Sequence, residues 1–283
     1  MTSKRKLFLR YFAAFTFLYA LFYVGSYFYK EVLIKNEISE SIERLESSLE
    51  VVVHYDTLYA KSVHKFLQNN SQVLSIFSEA ADCNQTRQAE LRDTLHRMLY
   101  QPFAAMEMRG VSQLQFIFAD KKSFLKLHEP KSFGDTVIFD TQTQEIQSGF
   151  YPHNNSFSFR NIFPLYNGEN IFIGSLEITF LADTLEENLA KINQSSSYFL
   201  LHKDYLDKEI LQKNADSLCI ANIFHKQNIT QKEKDIFAKH KDALQSSIQK
   251  EEKFGIFNEI ENTVELMVFI PIKNATHSKT VSL

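Results

Sequence analysis

The chain reads as an α+β protein tied to a membrane by its N-terminal helix. Three patterns predict this: an uncharged apolar run near the start, a heptad-like apolar stripe after it, and a change to period-two alternation near residue 114. From Tyr11 to Tyr29 no residue is charged, and most are Phe, Tyr, Leu, Ala or Val. A run of about 19 such residues crosses a hydrocarbon layer as a helix, where a helix satisfies its own backbone. Lys4, Arg5, Lys6 and Arg10 precede it. The excess of basic residues places 1–10 in the cytoplasm, 11–29 in the inner membrane and the remainder in a periplasm or outside the cell. The alternative is a cleaved signal peptide, with a shorter apolar core and a small-residue cleavage site. Ala13, Ala14, Ala20, Gly25 and Ser26 are small, but bulky aromatics surround them.

After the span, Ile34, Ile38, Ile42, Leu45, Leu49 and Val52 step by fours and threes. That spacing predicts a continuing helical rod, about 60 Å over about 40 residues. The stripe packs either on its own domain or across a homodimer, with the membrane-proximal part assigned to the dimer. Asn69-Asn70-Ser71 interrupts the pattern. Helices are expected at Val73–Ala80 and Arg87–Met108, with Gly110 as the stop of the second. Residues 30–110 thus form a stalk and the helices that pack on the strand-rich part of the chain.

Alternation then takes over. Leu114–Phe118, Ser123–His128, Gly149–Tyr151, Phe157–Leu165 and Asn170–Phe180 read as strands, and Asn167-Gly168 as a hairpin turn. Leu181–Asn193 returns to helix, with Asp183 as a candidate cap. A second, smaller round comes next: strands at Tyr198–His202 and Ser217–Ala221, a helix at Gln231–Lys250, and strands at Phe254–Asn258 and Thr263–Pro271 around Asn262. The expected modules are 111–195, membrane-distal, and 196–283, membrane-proximal and incomplete at its end.

Composition excludes several classes. A net charge of -3 gives no broad basic surface for nucleic acid. At 44% hydrophobic the chain is not disordered. No CxxC, HExxH or Walker-type glycine loop occurs, so neither an enzyme activity nor a metal or cofactor is expected. Cys83 and Cys219 lie far apart, and their pairing stays open.

The run Leu114-Gln115-Phe116, Ser123-Phe124-Leu125-Lys126-Leu127-His128-Glu129-Pro130 and Phe133-Gly134-Asp135 resembles the first half of double Cache sensor domains. Gly149-Phe150, Phe159-Arg160, Phe163-Pro164-Leu165 and Ile173-Gly174-Ser175-Leu176-Glu177 continue that order. The subfamily it resembles is the double sensory domain of bacterial sensor kinases, chemoreceptors and cyclic-di-GMP proteins. The motifs cover roughly 111–180. The resemblance implies an α+β fold of two Cache/PAS-like modules with antiparallel sheets. It implies a membrane-anchored extracytoplasmic sensor that binds a small molecule in its distal module and signals through its long helices. Two features depart from the family. Lys126 stands where Arg is usual, and Tyr151-Pro152-His153-Asn154-Asn155-Ser156 carries none of the usual charge. No second apolar run or output domain comes after these modules, so the chain reads as a truncated receptor or a single-span relative.

Alternation puts Phe124, Lys126 and His128 on one face of their strand, and Ser158, Arg160 and Ile162 on one face of theirs. A buried Arg160 needs an anionic partner. A ligand carboxylate can serve through two parallel hydrogen bonds, and so can Glu177 or Asp135. Lys126 adds a second charge, His128 or Tyr151 a directional hydrogen bond, and Asp135 either binds a ligand amine or caps a helix. The alternative function is a structural envelope protein that oligomerises through its rod without a ligand.

Overall fold

The computed structural model describes residues 3–137, 145–153, 156–202, 219–220, 224–225, 230–260, 263–273, 275 and 280–282. Asn262, at the expected last hairpin turn, and Asn154 and Asn155 lie outside the described residues.

Helix α1 runs unbroken over Ser3–Gln68. No proline interrupts it, and Gly25 is its one glycine. Between Leu7 and Leu33 its apolar side chains point outward, with Phe8, Phe15 and Phe22 at least 70% exposed. By length and composition this segment can cross a membrane. Farther along, Leu45, Leu49, Val52, Ala60, Val63 and Leu67 are buried. The apolar stripe therefore packs on this chain's own residues. Ile38, in the part expected at a dimer, also meets its own chain, at Gly255.

Asparagines set the next two helices. Asn70 accepts hydrogen bonds from the Gln72 and Val73 amides and starts α2, Ser71–Asp82. Asn84 accepts from the Arg87 amide and starts α3, Gln85–Glu107. Both helices begin two residues earlier than hydrophobic periodicity places them, because the capping side chain rather than the first apolar residue fixes the start. Gly110, at φ +94°, closes α3. The Cys83 thiol is free and lies 3.7 Å from the Ala80 carbonyl oxygen.

Strands β1 (Gln113–Phe118), β2 (Ser123–Lys126), β3 (Gln147–His153), β4 (Ser156–Tyr166) and β5 (Phe172–Leu181) form one antiparallel sheet in the order β2-β1-β5-β4-β3. Asn167 closes the β4–β5 turn by accepting from the Glu169 and Ile171 amides. The pleat gives the sheet two faces. Phe116, Leu176, Ile178, Phe159 and Phe163 point one way, toward the helices. There the Phe77 ring of α2 sits 5.3–5.7 Å from Phe116, Phe118 and Phe124, and His64 of α1 stacks on Phe163 at 4.7 Å. Gly174 allows this approach: a Cβ there would collide with the Ile117 carbonyl oxygen and press on Phe77.

Helix α4, Ala182–Asn193, comes directly after β5. Leu181 holds its cap position without a side-chain bond, and Asp183 lies in the first turn. Asp183 is therefore not the cap. Beyond it come β6 (Leu201–His202), β7 (Cys219–Ile220) and β8 (Phe224–His225), paired in the order β6-β8-β7. The expected single helix at 231–250 is two, α5 (Gln231–Lys239) and α6 (Lys241–Gln249), divided at His240. β9 (Phe254–Ile260) and β10 (Thr263–Phe269) form a hairpin, and β11 (Pro271–Lys273) pairs with β12 (Thr280–Ser282).

Contacts group the chain into two compact units, Met1–Arg44 with Lys253–Phe269, and Leu45–Glu252 with Ile270–Leu283. This grouping cuts across the expected 196–283 module. In the first unit Lys30 and Glu259 pair at 2.7 Å in the open, and Phe254 stacks on Phe269 at 4.5 Å. The second unit holds the five-stranded sheet. The α+β class stands as the sequence reads it.

Candidate functional site

The sheet face turned away from α2 carries polar and charged residues where a core would carry apolar ones. Register sets them side by side. Gln115 of β1 lies opposite Lys126 of β2 and opposite Glu177 of β5. Arg160 of β4 lies opposite Thr179 of β5 and Gly149 of β3, and Ser158 opposite Tyr151. Gln115, Ser158, Glu177, Thr179 and Tyr151 are all buried.

The segment after β2 folds back along that strand. The Ser123 amide donates to the Asp135 carbonyl, and the Gly134 amide to the Ser123 carbonyl. Gly134 adopts φ +81° to make the reversal. Val137 then packs against Ile117 and Ile162 and covers part of the polar face. From the helix side Arg92 of α3 fixes the same segment. Its Nε donates to the Phe124 carbonyl at 2.7 Å, and its guanidinium lies 3.6 Å from the centre of the Phe133 ring. Burial pulls the Arg92 pKa down.

Arg160 has an internal acid. Its Nε is 3.5 Å from Glu177 Oε1 and donates to Ser158 Oγ at 3.2 Å. Its Nη2 reaches the Pro152 carbonyl at 3.5 Å, and its guanidinium lies 5.4 Å from the centre of the Tyr151 ring. Of the anionic partners that the sequence leaves open for Arg160, the neighbouring strand supplies Glu177. Burial pushes the Glu177 carboxyl up. Arg160, the Thr179 hydroxyl and Lys126 oppose that shift, and Asp135 adds to it. Burial also raises the Tyr151 phenol, against the pull of Arg160.

Lys126 donates to Asp135 Oδ2 at 2.9 Å and to Ser132 Oγ at 3.1 Å. Its side chain is 14% exposed, so it does not snorkel to water. Asp135, half-exposed, serves this lysine. His128 sits half-buried two residues beyond β2.

Phe124 departs from simple alternation. Phe116 pairs with Leu125 and Ile117 with Ser123, so Phe124 is the extra residue of a β-bulge. The bulge turns its ring toward Phe77 and Phe118, away from the face that holds Lys126. A bulge leaves no mark in hydrophobic periodicity, which is why the alternation misplaces this side chain.

Gln115 is the residue sequence reasoning missed. Its Nε2 is buried without a hydrogen-bond partner among the described residues. A buried amide donor left unmade costs about 1–3 kcal/mol. The signal was available: a Gln flanked by Leu114 and Phe116 in a strand read as core. The face therefore gathers a guanidinium, an ammonium, an orphan amide and three hydroxyl groups around a buried acid. Such a set is suited to holding a small molecule rich in hydrogen-bond acceptors.

No family model matches the chain, and no curated protein matches it. Among solved structures, the sensor domain of the histidine kinase DctB from V. cholerae is 11% identical, with 88% of this chain and 96% of that one covered and a TM-score of 0.47. A domain of a sensory box/GGDEF family protein from Vibrio parahaemolyticus is 10% identical over 88% of this chain and 95% of that one, with a TM-score of 0.45. The sensory domain of the Campylobacter jejuni chemoreceptor Tlp3, with isoleucine bound, is 13% identical over 88% of this chain and 94% of that one, with a TM-score of 0.35.

Proposed function

We propose that the chain is a membrane-anchored sensory domain that binds a small, carboxylate-bearing ligand on the polar face of the five-stranded sheet and passes the change along α1. The resemblance to double Cache domains over 111–180 is one support. The observation that carries the reading is the buried, unpartnered Nε2 of Gln115 in register between Lys126 and Glu177. Conformational stability alone gives no reason to keep an unmade donor there, whereas a ligand acceptor would satisfy it. Because Arg160 already faces Glu177, the ligand carboxylate competes with that acid for the guanidinium. A partner-exchange step of this kind moves β4 and β5 relative to each other only slightly, which suits a shift between two packings.

The site faces the periplasm or the cell exterior, with residues 1–10 in the cytoplasm. A second copy of the chain is the proposed partner. Val51, Tyr55, Leu58 and Phe66 are exposed on α1, away from the stripe that packs internally, and their spacing suits a parallel helix pair. Tyr55→Lys should shift the full chain in detergent toward monomer in light-scattering measurements.

The ligand reading is tested by thermal unfolding of the full chain against a panel of free amino acids and small carboxylic acids. Saturating ligand should raise the unfolding midpoint of the wild type. Arg160→Ala should remove the response. A folded variant that keeps the whole response would refute the site. If no member of the panel shifts the wild type, while Tyr55→Lys still dissociates a dimer, the structural-protein alternative gains the ground.

A further inference from the structure

Asp56 lies in the last third of α1, on the same buried stripe as Val52, Ala60 and Val63. It is 2% exposed. Its Oδ2 is fully buried and accepts no hydrogen bond, and it makes no ion pair among the described residues. Three polar side chains on the same face of the helix are engaged. Ser48, two turns before, donates to Asn193 of α4 at 2.7 Å. His64, two turns after, bonds the Pro164 carbonyl at 3.0 Å, and Gln68 bonds the Tyr166 carbonyl at 2.8 Å. Asp56 differs from these three: among the described residues its Oδ2 has no donor.

The nearby titratable and charged groups do not compensate it. His64 and Tyr59 belong to its own helix. Arg109 lies just past α3 and stacks over Tyr59 at 5.7 Å. Asp183, Glu186, Glu187 and Lys191 belong to α4. Glu186 accepts from the Phe199 amide, and Glu187 pairs with Lys191. Among the described residues none of them forms a hydrogen bond or ion pair with Asp56. Burial alone shifts its carboxyl, up to about 7. Among the described residues an ionised carboxylate at this place has neither donor nor counter-charge, while the neutral acid fits at lower cost.

We propose that Asp56 gives this protein a second input, the proton: the neutral acid lets the last third of α1 pack on the sheet, and its ionisation loosens that stretch of the helix. The same helix carries the segment of membrane-spanning length, so the state of Asp56 acts on the element that leaves the sensor. The ligand face plays no part in this step, and the proposal stands whether or not that face binds a carboxylate.

Linkage fixes the sign. The packed state holds the proton up to about pH 7, while an opened helix releases it near the ordinary aspartate value, about 4. Opening therefore becomes easier as pH rises between these values, by about tenfold per pH unit, and levels off above the upper one. Hydrogen exchange of the full chain in lipid nanodiscs, corrected for the intrinsic pH dependence of exchange, reads this for amides 52–60. His64 on the same helix titrates with the opposite sign below pH 6.5, so the measurement is made on His64→Gln, which should show the rise between pH 5 and 7 and the plateau above it. Adding Asp56→Asn should abolish the rise, and Asp56→Leu provides a second uncharged replacement should the amide fail to fold. A flat His64→Gln profile overturns the proposal, and so does a rise that persists in either double variant.

Discussion

Gln115 stands opposite Glu177 across β1 and β5 and opposite Lys126 across β1 and β2, yet its buried Nε2 bonds neither. The amide is held between an acid and an ammonium, and both have other partners. Gln115→Met keeps the volume and removes the unmade donor. Without ligand the variant should be about 1 kcal/mol more stable in urea unfolding. A loss of stability of similar size would mean that the amide is satisfied in the folded protein.

Arg160 and Glu177 should behave as one unit. Arg160→Ala leaves a buried carboxyl without its cation and should cost about 3–5 kcal/mol. Adding Glu177→Gln should recover much of that loss. A double-mutant cycle on unfolding free energies measures the coupling, expected at about 1–3 kcal/mol. Simple additivity would show that the 3.5 Å approach carries no energy.

Phe77 is the ring that joins α2 to the sheet, within 5.7 Å of Phe116, Phe118 and Phe124. It is fully buried. Phe77→Ala should cost about 3–5 kcal/mol. Because the polar residues lie on the opposite face, any ligand response of the folded variant should persist at low temperature.

His64 supplies a pH dependence of opposite sign to that of Asp56. Burial lowers its pKa from the ordinary 6.5, partly offset by its bond to the Pro164 carbonyl. Below 6.5 the unfolded imidazole takes up a proton that the folded one resists, so stability falls as pH falls through that value toward the folded one. In an Asp56→Asn background, unfolding measured from pH 7.5 to 5 should show this decline. Adding His64→Gln should flatten it. An unchanged decline would place the titrating group elsewhere.

Much of the fold was legible because it arises from periodicity and local chemistry. The rod, the five strands and the turn at Asn167 are written in the spacing of apolar residues and in side chains that mimic turns. The helix starts at Asn70 and Asn84 were recoverable from capping chemistry. What periodicity could not carry was the bulge at Phe124 and the close contact at Gly174, both of which depend on register across strands. The split at His240 was also hidden, since no proline or glycine marks it. In the site, Lys126, Tyr151 and Arg160 were legible as polar residues at inward positions. Glu177 was one of the partners open to Arg160, and the choice among them, like the pairing of Lys126 with Asp135, depends on how strands and loops come together. So does the isolation of Gln115, which needs the register of three strands at once.

The most direct test of ligand recognition on the polar face is a titration of the full chain and of Gln115→Met with the same panel of free amino acids and small carboxylic acids, read out by thermal unfolding. The account predicts a wild type stabilised by at least one carboxylate, and a variant that begins more stable and responds to it less. A variant that begins less stable and keeps the full response would contradict it.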